Sequence, residues 1–390
     1  MRFTHFAALA AGSTALLILQ PVTAGAAAAP RESRSVAGGV TTLPLTDSRR
    51  SVGADGAERT LPQRSTVSFS MVGVSWDDPA ATLDGTVQVR TRDATTGHWS
   101  DWLDLDSADE DRPDEPTGRG STAPLWVGPS NGLAVRVHAS GHPLPAGLRA
   151  ELVDPGPGPA VTGPATTAPG DTGPAGSASA ERALPRVEHP GPRPGIVIRS
   201  GWGADESLRE PGYVYTGAVK AVFVHHTDTA NNYACSDAPA IIRSIYQYHV
   251  KTNGWRDIGY NFLVDRCGTI YEGRAGGVIQ PVLGAHTLGF NSNTSGVAAI
   301  GTYGSDSVPQ AQQDGIVKIA AWKLGLTDVD AAGSTTLVSA SDGSRYKKGT
   351  SVGFNTISGH RDGFATECPG DQLYNLLPDI RSRAAHLQGR

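Results

Sequence analysis

Apolar and polar residues alternate with period two through much of the first half of the chain. STVSFSMVGVSW (65–76), GTVQVRTR (85–92), HWSDWLDL (98–105), GLAVRVHA (132–139) and GLRAELVD (147–154) each show it, with turn residues between them. Such runs set every second side chain on one face, which predicts antiparallel strands with one buried face. Residues 61–154 therefore read as a small all-β, sandwich-like domain. Trp76, Trp99, Trp102 and Trp126 fall within it. They fit either its core or a stacking surface for sugars. The odd spacing of Trp99 and Trp102 would turn them to opposite faces of a regular strand.

The pattern changes in the second half. AVKAVFVHHT (218–227) and GVAAIGTYG (296–304) are continuous apolar runs, as in buried strands. In APAIIRSIYQYHVKT (238–252), Ile241, Ile242, Ile245, Tyr246 and His249 recur at helical spacing, with Asp237 placed as a cap. GYNFLVDRCGTIYEG (259–273) reads as a hairpin turning at 266–268. PQAQQDGIVKIAAWKLGL (309–326) and most of GDQLYNLLPDIRSRAAHL (370–387) read as helices. Strands interleaved with helices predict an α/β domain over residues 196–390.

Between the two halves lies a linker, residues 155–195. It is dominated by Pro, Gly, Ala, Thr and Ser, which cannot bury a core and should stay extended. At the N-terminus, Arg2 precedes an apolar run ending at Leu19, followed by small residues. Residues 1–29 thus read as a signal peptide for export, and residues 30–60 as a disordered segment. No other run reaches the ~20 apolar residues that a membrane span needs, so no membrane association is expected once the leader is removed.

Net charge narrows the field of partners. It is −5, without a basic cluster, which argues against nucleic acid. The acidic stretch DLDSADEDRPDE (104–115) lacks the glycine and ligand spacing of a calcium loop and reads as a solvated face.

Three cysteines in an exported chain leave one over. Cys235 and Cys267 can pair across 32 positions, which leaves Cys368 single. Cys368 lies eight residues after His360 in ISGHRDGFATECPG (357–370). A thiolate needs a metal or a positive field to stay ionised. One further histidine would complete three ligands of the kind a catalytic zinc takes, with a fourth position open to water. His225 and His226 are adjacent on one strand and face opposite ways, so alternation does not choose between them. His249, on the Ile241–Ile245 stripe, reads as core, and Glu272 with Arg274 as an exposed charge pair.

Four blocks in order, VFVHHTDT, GWRDIGYNFLVDRCGTIYEGR, GAHTLGFNSNTSGVAAIGTY and SGHRDGFATECPG, resemble the peptidoglycan recognition proteins and the zinc-dependent N-acetylmuramoyl-L-alanine amidases. The resemblance runs from Arg199 to about Leu387. It implies a central mixed β-sheet flanked by helices, with a groove for a peptidoglycan glycopeptide. It implies zinc held by His225, His360 and Cys368, with Tyr260 and Thr366 acting on the reacting oxygen. It also implies that His286 and Asn291 line the substrate groove, and it is compatible with a Cys235–Cys267 disulfide. The expected protein is a secreted, monomeric zinc amidase of the cell wall. A recognition module that binds peptidoglycan without cutting it is the alternative.

Overall fold

The computed structural model describes residues 38–47, 58–107, 118–158 and 187–390. The leader, most of the acidic stretch and linker residues 159–186 lie outside them. Eight strands form the first domain: β1 (Gly39–Pro44), β2 (Thr46–Asp47), β3 (Glu58–Trp76), β4 (Gly85–Asp93), β5 (Leu103–Leu105), β6 (Gly120–Ser121), β7 (Leu125–Ala139) and β8 (Arg149–Asp154). They hydrogen-bond in the order β1-β8-β3-β7-β4-β5, with β2 and β6 attached to β3. Residues 39–47 depart from the disordered reading. Gly39–Pro44 pairs antiparallel along the whole of β8 and satisfies backbone groups that an open edge would leave unpaired. Weak side-chain periodicity hid a strand held mainly by its backbone.

The long strand β3 departs from simple alternation. Its last eight residues, Phe69 to Trp76, are buried on both faces. Phe69, Val72, Val74 and Trp76 fill the domain's own core. Met71, on the other face, packs with Trp126 and Val153 against the second domain. The tryptophans divide accordingly. Trp76 is core and donates its indole N–H to the Ala81 carbonyl at 2.9 Å. Trp126 belongs to the cluster shared with the second domain. Trp99 and Trp102 are half-buried and lie on Arg92 and Arg136, side chains of one sheet face. They do not face opposite ways, because residues 98–102 form no regular strand.

The second domain is built on a mixed six-stranded sheet. Its strands are β9 (Ile196–Val197), β10 (Ala221–His226), β11 (Phe262–Val264), β12 (Ile270–Glu272), β13 (Thr294–Ala299) and, after a separate hairpin of β14 (Ser334–Val338) and β15 (Ser351–Asn355), β16 (Ile357–Gly359). The order is β16-β10-β13-β11-β12-β9. β10 runs parallel to both β13 and β16, and β11–β12 is the predicted hairpin. Six helices accompany the sheet: α1 (Arg199–Trp202), α2 (Ala238–Gln247), α3 (Gln310–Gly325), α4 (His360–Gly363), α5 (Asp371–Asn375) and α6 (Leu377–Leu387). The apolar residues of α3 and α6 pack with Val222 and Val224 on one side of the sheet. Ile241, Ile242 and Ile245 of α2 pack with Leu263 and Ala298 on the other. Asp237 does not cap α2 as expected. Its carboxylate instead accepts from the Ala234 N–H at 3.0 Å, closing the short turn before the helix. Among the described residues no helix is long and apolar enough to cross a membrane.

Cys235 and Cys267 are disulfide-bonded, their Cα atoms 6.2 Å apart. Closing a 32-position loop stabilises the fold by about 3–4 kcal/mol in the chain-entropy picture. The described ends of the linker are fastened rather than free. Arg243 donates to the Pro155 carbonyl, Gln247 to the Asp154 carbonyl, and His189 lies against the Gln388 carbonyl.

α2 continues into a π-helical turn, Tyr248–Thr252. Its His249 is fully enclosed, and Nδ1 accepts the Gly259 N–H at 3.1 Å. Burial, aided by the Arg274 charge, pulls the pKa of this imidazole down to about 3. The unfolded chain takes up that proton near pH 6.5 and the folded one does not, so stability is present above 6.5 and falls as pH drops towards 3. Urea titrations between pH 6.5 and 4 are expected to show a fall in stability steeper than in His249→Gln by up to about 1.4 kcal/mol per pH unit, one proton's worth.

Candidate metal centre

Strand register assembles the site. β16 pairs with β10 in parallel, Val224 opposite Gly359. One step further stand His225, on β10, and His360, the first residue of α4, at the C-terminal ends where parallel sheets present ligands. Their rings are 4.5 Å apart, centroid to centroid. Register with β13 places His225 beside Ala298, on the α2 side of the sheet. His226 faces the other way, and its Nδ1 accepts the Tyr303 N–H at 3.3 Å. The face that alternation left open is therefore that of Phe223 and His225.

Cys368 returns to the same point from the loop after α4. Its Sγ accepts the His226 N–H at 3.3 Å and lies 3.8 Å from His225 Nδ1. The loop is tied by the Arg361 N–H to the Cys368 carbonyl at 3.0 Å, and by the Cys368 N–H to Thr366 Oγ1 at 3.1 Å. Ligand atoms of His225, His360 and Cys368 all lie within 4.8 Å of one another. The three residues are 0%, 1% and 2% exposed.

That donor set fits zinc. Two imidazole nitrogens and one thiolate are preferred zinc donors, and tetrahedral bonds of about 2.0–2.3 Å set neighbouring donor atoms about 3.5 Å apart. Burying three such groups together costs free energy that a bound cation would offset. Three protein donors leave a fourth position for water or substrate.

His286 and Asn291, which the resemblance sets along the groove, are both fully buried. His286 Nδ1 is 3.3 Å from His225 Nε2, and its Nε2 is 3.4 Å from Thr294 Oγ1. Thr294 gives its own hydroxyl proton to the Phe290 carbonyl, so its oxygen accepts from His286 Nε2–H. That leaves His286 Nδ1 as an acceptor, shared between the Thr287 hydroxyl at 3.0 Å and His225 Nε2–H. Burial, with His225 and His360 nearby, holds His286 well below its ordinary pKa, neutral as this arrangement requires. Asn291 Oδ1 accepts the backbone N–H groups of His286 and Thr287, at 2.6 and 2.9 Å. The pair thus orients His225, the outer support that metal-binding histidines usually have.

Tyr260, just before β11, is buried with its ring 5.7 Å from that of His225. Thr366 is half-buried beside Cys368. Glu272 and Arg274 are not an exposed pair. Glu272 is buried and accepts the Arg199 N–H, while Arg274 donates to the carbonyls of Asp257, Ile258 and Leu283.

Two glycines belong to the site and were missed from sequence. A Cβ on Gly296 would lie 2.5 Å from His286 Cγ, and one on Gly284 would lie 2.4 Å from its Cδ2. Glycine within an apolar strand such as GVAAIG signals close approach of this kind. Gly296→Ala is expected to displace His286, free His225 to turn and weaken zinc binding about 10–100-fold. Competition with a chromophoric chelator measures this.

Comparison with known proteins agrees with the fold. Residues 215–371 match the family described as N-acetylmuramoyl-L-alanine amidase, and residues 26–175 match one described as Rv3811 N-terminal galactose-binding domain-like. Peptidoglycan-recognition protein SC2 of Drosophila simulans is 31% identical over 184 residues, 47% of this chain and 84% of that protein. The N-acetylmuramoyl-L-alanine amidase of Homo sapiens is 32% identical over 191 residues, 47% of this chain but 28% of that longer protein. The solved complex of tracheal cytotoxin with the ectodomains of peptidoglycan recognition proteins LCa and LCx aligns at 25% identity and TM-score 0.37, over 47% of this chain and 93% of that one. The chain belongs to the family of peptidoglycan-recognition proteins and N-acetylmuramoyl-L-alanine amidases.

Proposed function

We propose that this protein is an exported zinc amidase that hydrolyses the amide between the lactyl group of N-acetylmuramic acid and the L-alanine of a peptidoglycan stem peptide. The observation that carries the reading is the convergence of His225, His360 and Cys368 within 4.8 Å, with Tyr260 against His225. A protein that only recognised the glycopeptide would have no need of three buried ligands around an open position.

Each residue has a task. His225, His360 and Cys368 would hold the metal. Zinc, when bound, polarises the scissile carbonyl and lowers the pKa of water at the open position. The backbone N–H of His226 stabilises negative charge on the Cys368 sulfur. His286 fixes the tautomer and tilt of His225 by accepting from its Nε2–H. Tyr260 presents its hydroxyl proton to the carbonyl oxygen as charge builds there. Thr366 holds the Cys368 loop through its oxygen, and its hydroxyl proton is the second donor for that charge. Water is consumed and the C–N bond breaks. The lactyl carboxylate stays on the glycan, and the peptide leaves with a free α-amino group.

The mature protein is expected to release peptides with an N-terminal L-alanine from purified peptidoglycan, read by mass spectrometry and end-group labelling. Cys368→Ser should lose both zinc and activity. Tyr260→Phe should keep its zinc and lose about 10²–10³-fold in kcat, the effect of removing one donor to a developing oxyanion. Wall binding without release of such peptides, in protein loaded with zinc, would replace the amidase with a recognition module.

A further inference from the structure

Part of the contact between the two domains falls on the π-helical turn 248–252 and its cap. Tyr248 donates its hydroxyl proton to the Thr122 carbonyl at 3.1 Å. Its ring lies on Gly73 of β3, where a Cβ would fall 2.3 Å from the hydroxyl oxygen and 2.6 Å from Cζ. Asn253 closes the turn by donating its N–H to the Tyr248 carbonyl at 3.0 Å. Its own carbonyl accepts the Arg119 N–H at 3.3 Å, and its Oδ1 accepts the Ser121 hydroxyl at 3.2 Å. Gly118 meets the same carbonyl so closely that a Cβ there would overlap it. Two glycines of the all-β domain are thus shaped to this one turn.

The next residue points the other way. His249 accepts the Gly259 N–H, and its ring lies 4.4 Å from Trp255 and 5.8 Å from Tyr260. The Gly259 carbonyl accepts the N–H of Ala285, the residue before His286. Gly259 is therefore held by His249 on one side and anchors the chain entering His286 on the other. The π-helical widening lets consecutive side chains serve two domains, a feature often found at functional sites.

We propose that the all-β domain is a positioning device for the catalytic centre. It fixes the turn 248–252, and through His249 and Gly259 it sets where Tyr260 stands beside His225. The inference rests on the amidase reading for what Tyr260 does. On this account Tyr248 and His249 are positioning residues, and the first domain is part of the working enzyme as well as any attachment it makes.

The test uses the full chain labelled with 3-fluorotyrosine, the Tyr260 resonance being assigned by its loss in Tyr260→Phe. Gly73→Ala pushes on Tyr248, and Tyr248→Phe removes only the bond to Thr122. Gln247→Ala, which loses a bond to the Asp154 carbonyl at the same interface, lies outside the turn and serves as control. Gly73→Ala is expected to shift the Tyr260 resonance and lower kcat about tenfold, as small misplacements near reacting atoms do. KM and bound zinc should hold. Tyr248→Phe should do the same to a smaller degree, and it decides the matter if Gly73→Ala fails to fold. Gln247→Ala should change neither signal nor rate. An unmoved Tyr260 resonance and unmoved kcat in both turn variants would overturn the proposal, as would an equal effect from Gln247→Ala. A shifted resonance in a protein that hydrolyses no peptidoglycan would sustain the positioning role while removing the amidase reading.

Discussion

Val224 stands opposite Gly359 in the parallel pairing of β10 with β16, and the next step of that register sets His225 beside His360. Chemistry at this site depends on that step. A shift of one residue would turn His225 to the far side of the sheet and bring His226 forward. The register is held by burial on both faces: Val222 and Val224 pack under α3 and α6, while Phe223 stacks with Phe290 and meets Phe354 edge-on. Apolar packing thus fixes the position of polar groups that would otherwise be costly to enclose.

A second layer of support is polar and lies in loops. His286 and Asn291 hold His225 from one side, and the Cys368 loop reaches it from the other. On the α2 side, the site shares its backing with the all-β domain. Met71, Trp126 and Val153 join Ile241, Ile245, Tyr260 and Leu263 in one buried cluster. Burying an apolar side chain of this size contributes roughly 1.5–3 kcal/mol, so the docked domain stabilises the region around Tyr260 as well as itself.

Much of this was legible in the residue pattern. Continuous apolar runs marked β10 and β13, helical spacing marked α2 and α3, and the spacing of His360 and Cys368 suggested ligands. Other features were not. Alternation could say that His225 and His226 diverge but not which one faces the site, because that depends on which helices cover which face. His286 and Asn291 sit in a loop whose burial comes from neighbours distant in sequence, which its own residue pattern does not show. β1 escaped notice because its pairing with β8 rests on backbone hydrogen bonds. The polar positions of β3 suggested a solvent face, whereas Gly73 lies against Tyr248 of the other domain and Ser75 gives its hydroxyl to buried Glu151. Trp99 and Trp102 were assigned opposite faces from strand geometry that their segment does not adopt.

On the zinc amidase reading, the β10–β16 register assembles a metal site with two imidazoles, one thiolate and an open fourth position. X-ray absorption spectroscopy at the zinc edge, on protein loaded with one equivalent of the metal, tests it most directly. One sulfur near 2.3 Å, two imidazole nitrogens near 2.0–2.1 Å and one further light atom are expected. A sulfur-free or multi-sulfur shell, or protein that fails to retain one equivalent of zinc, would contradict it.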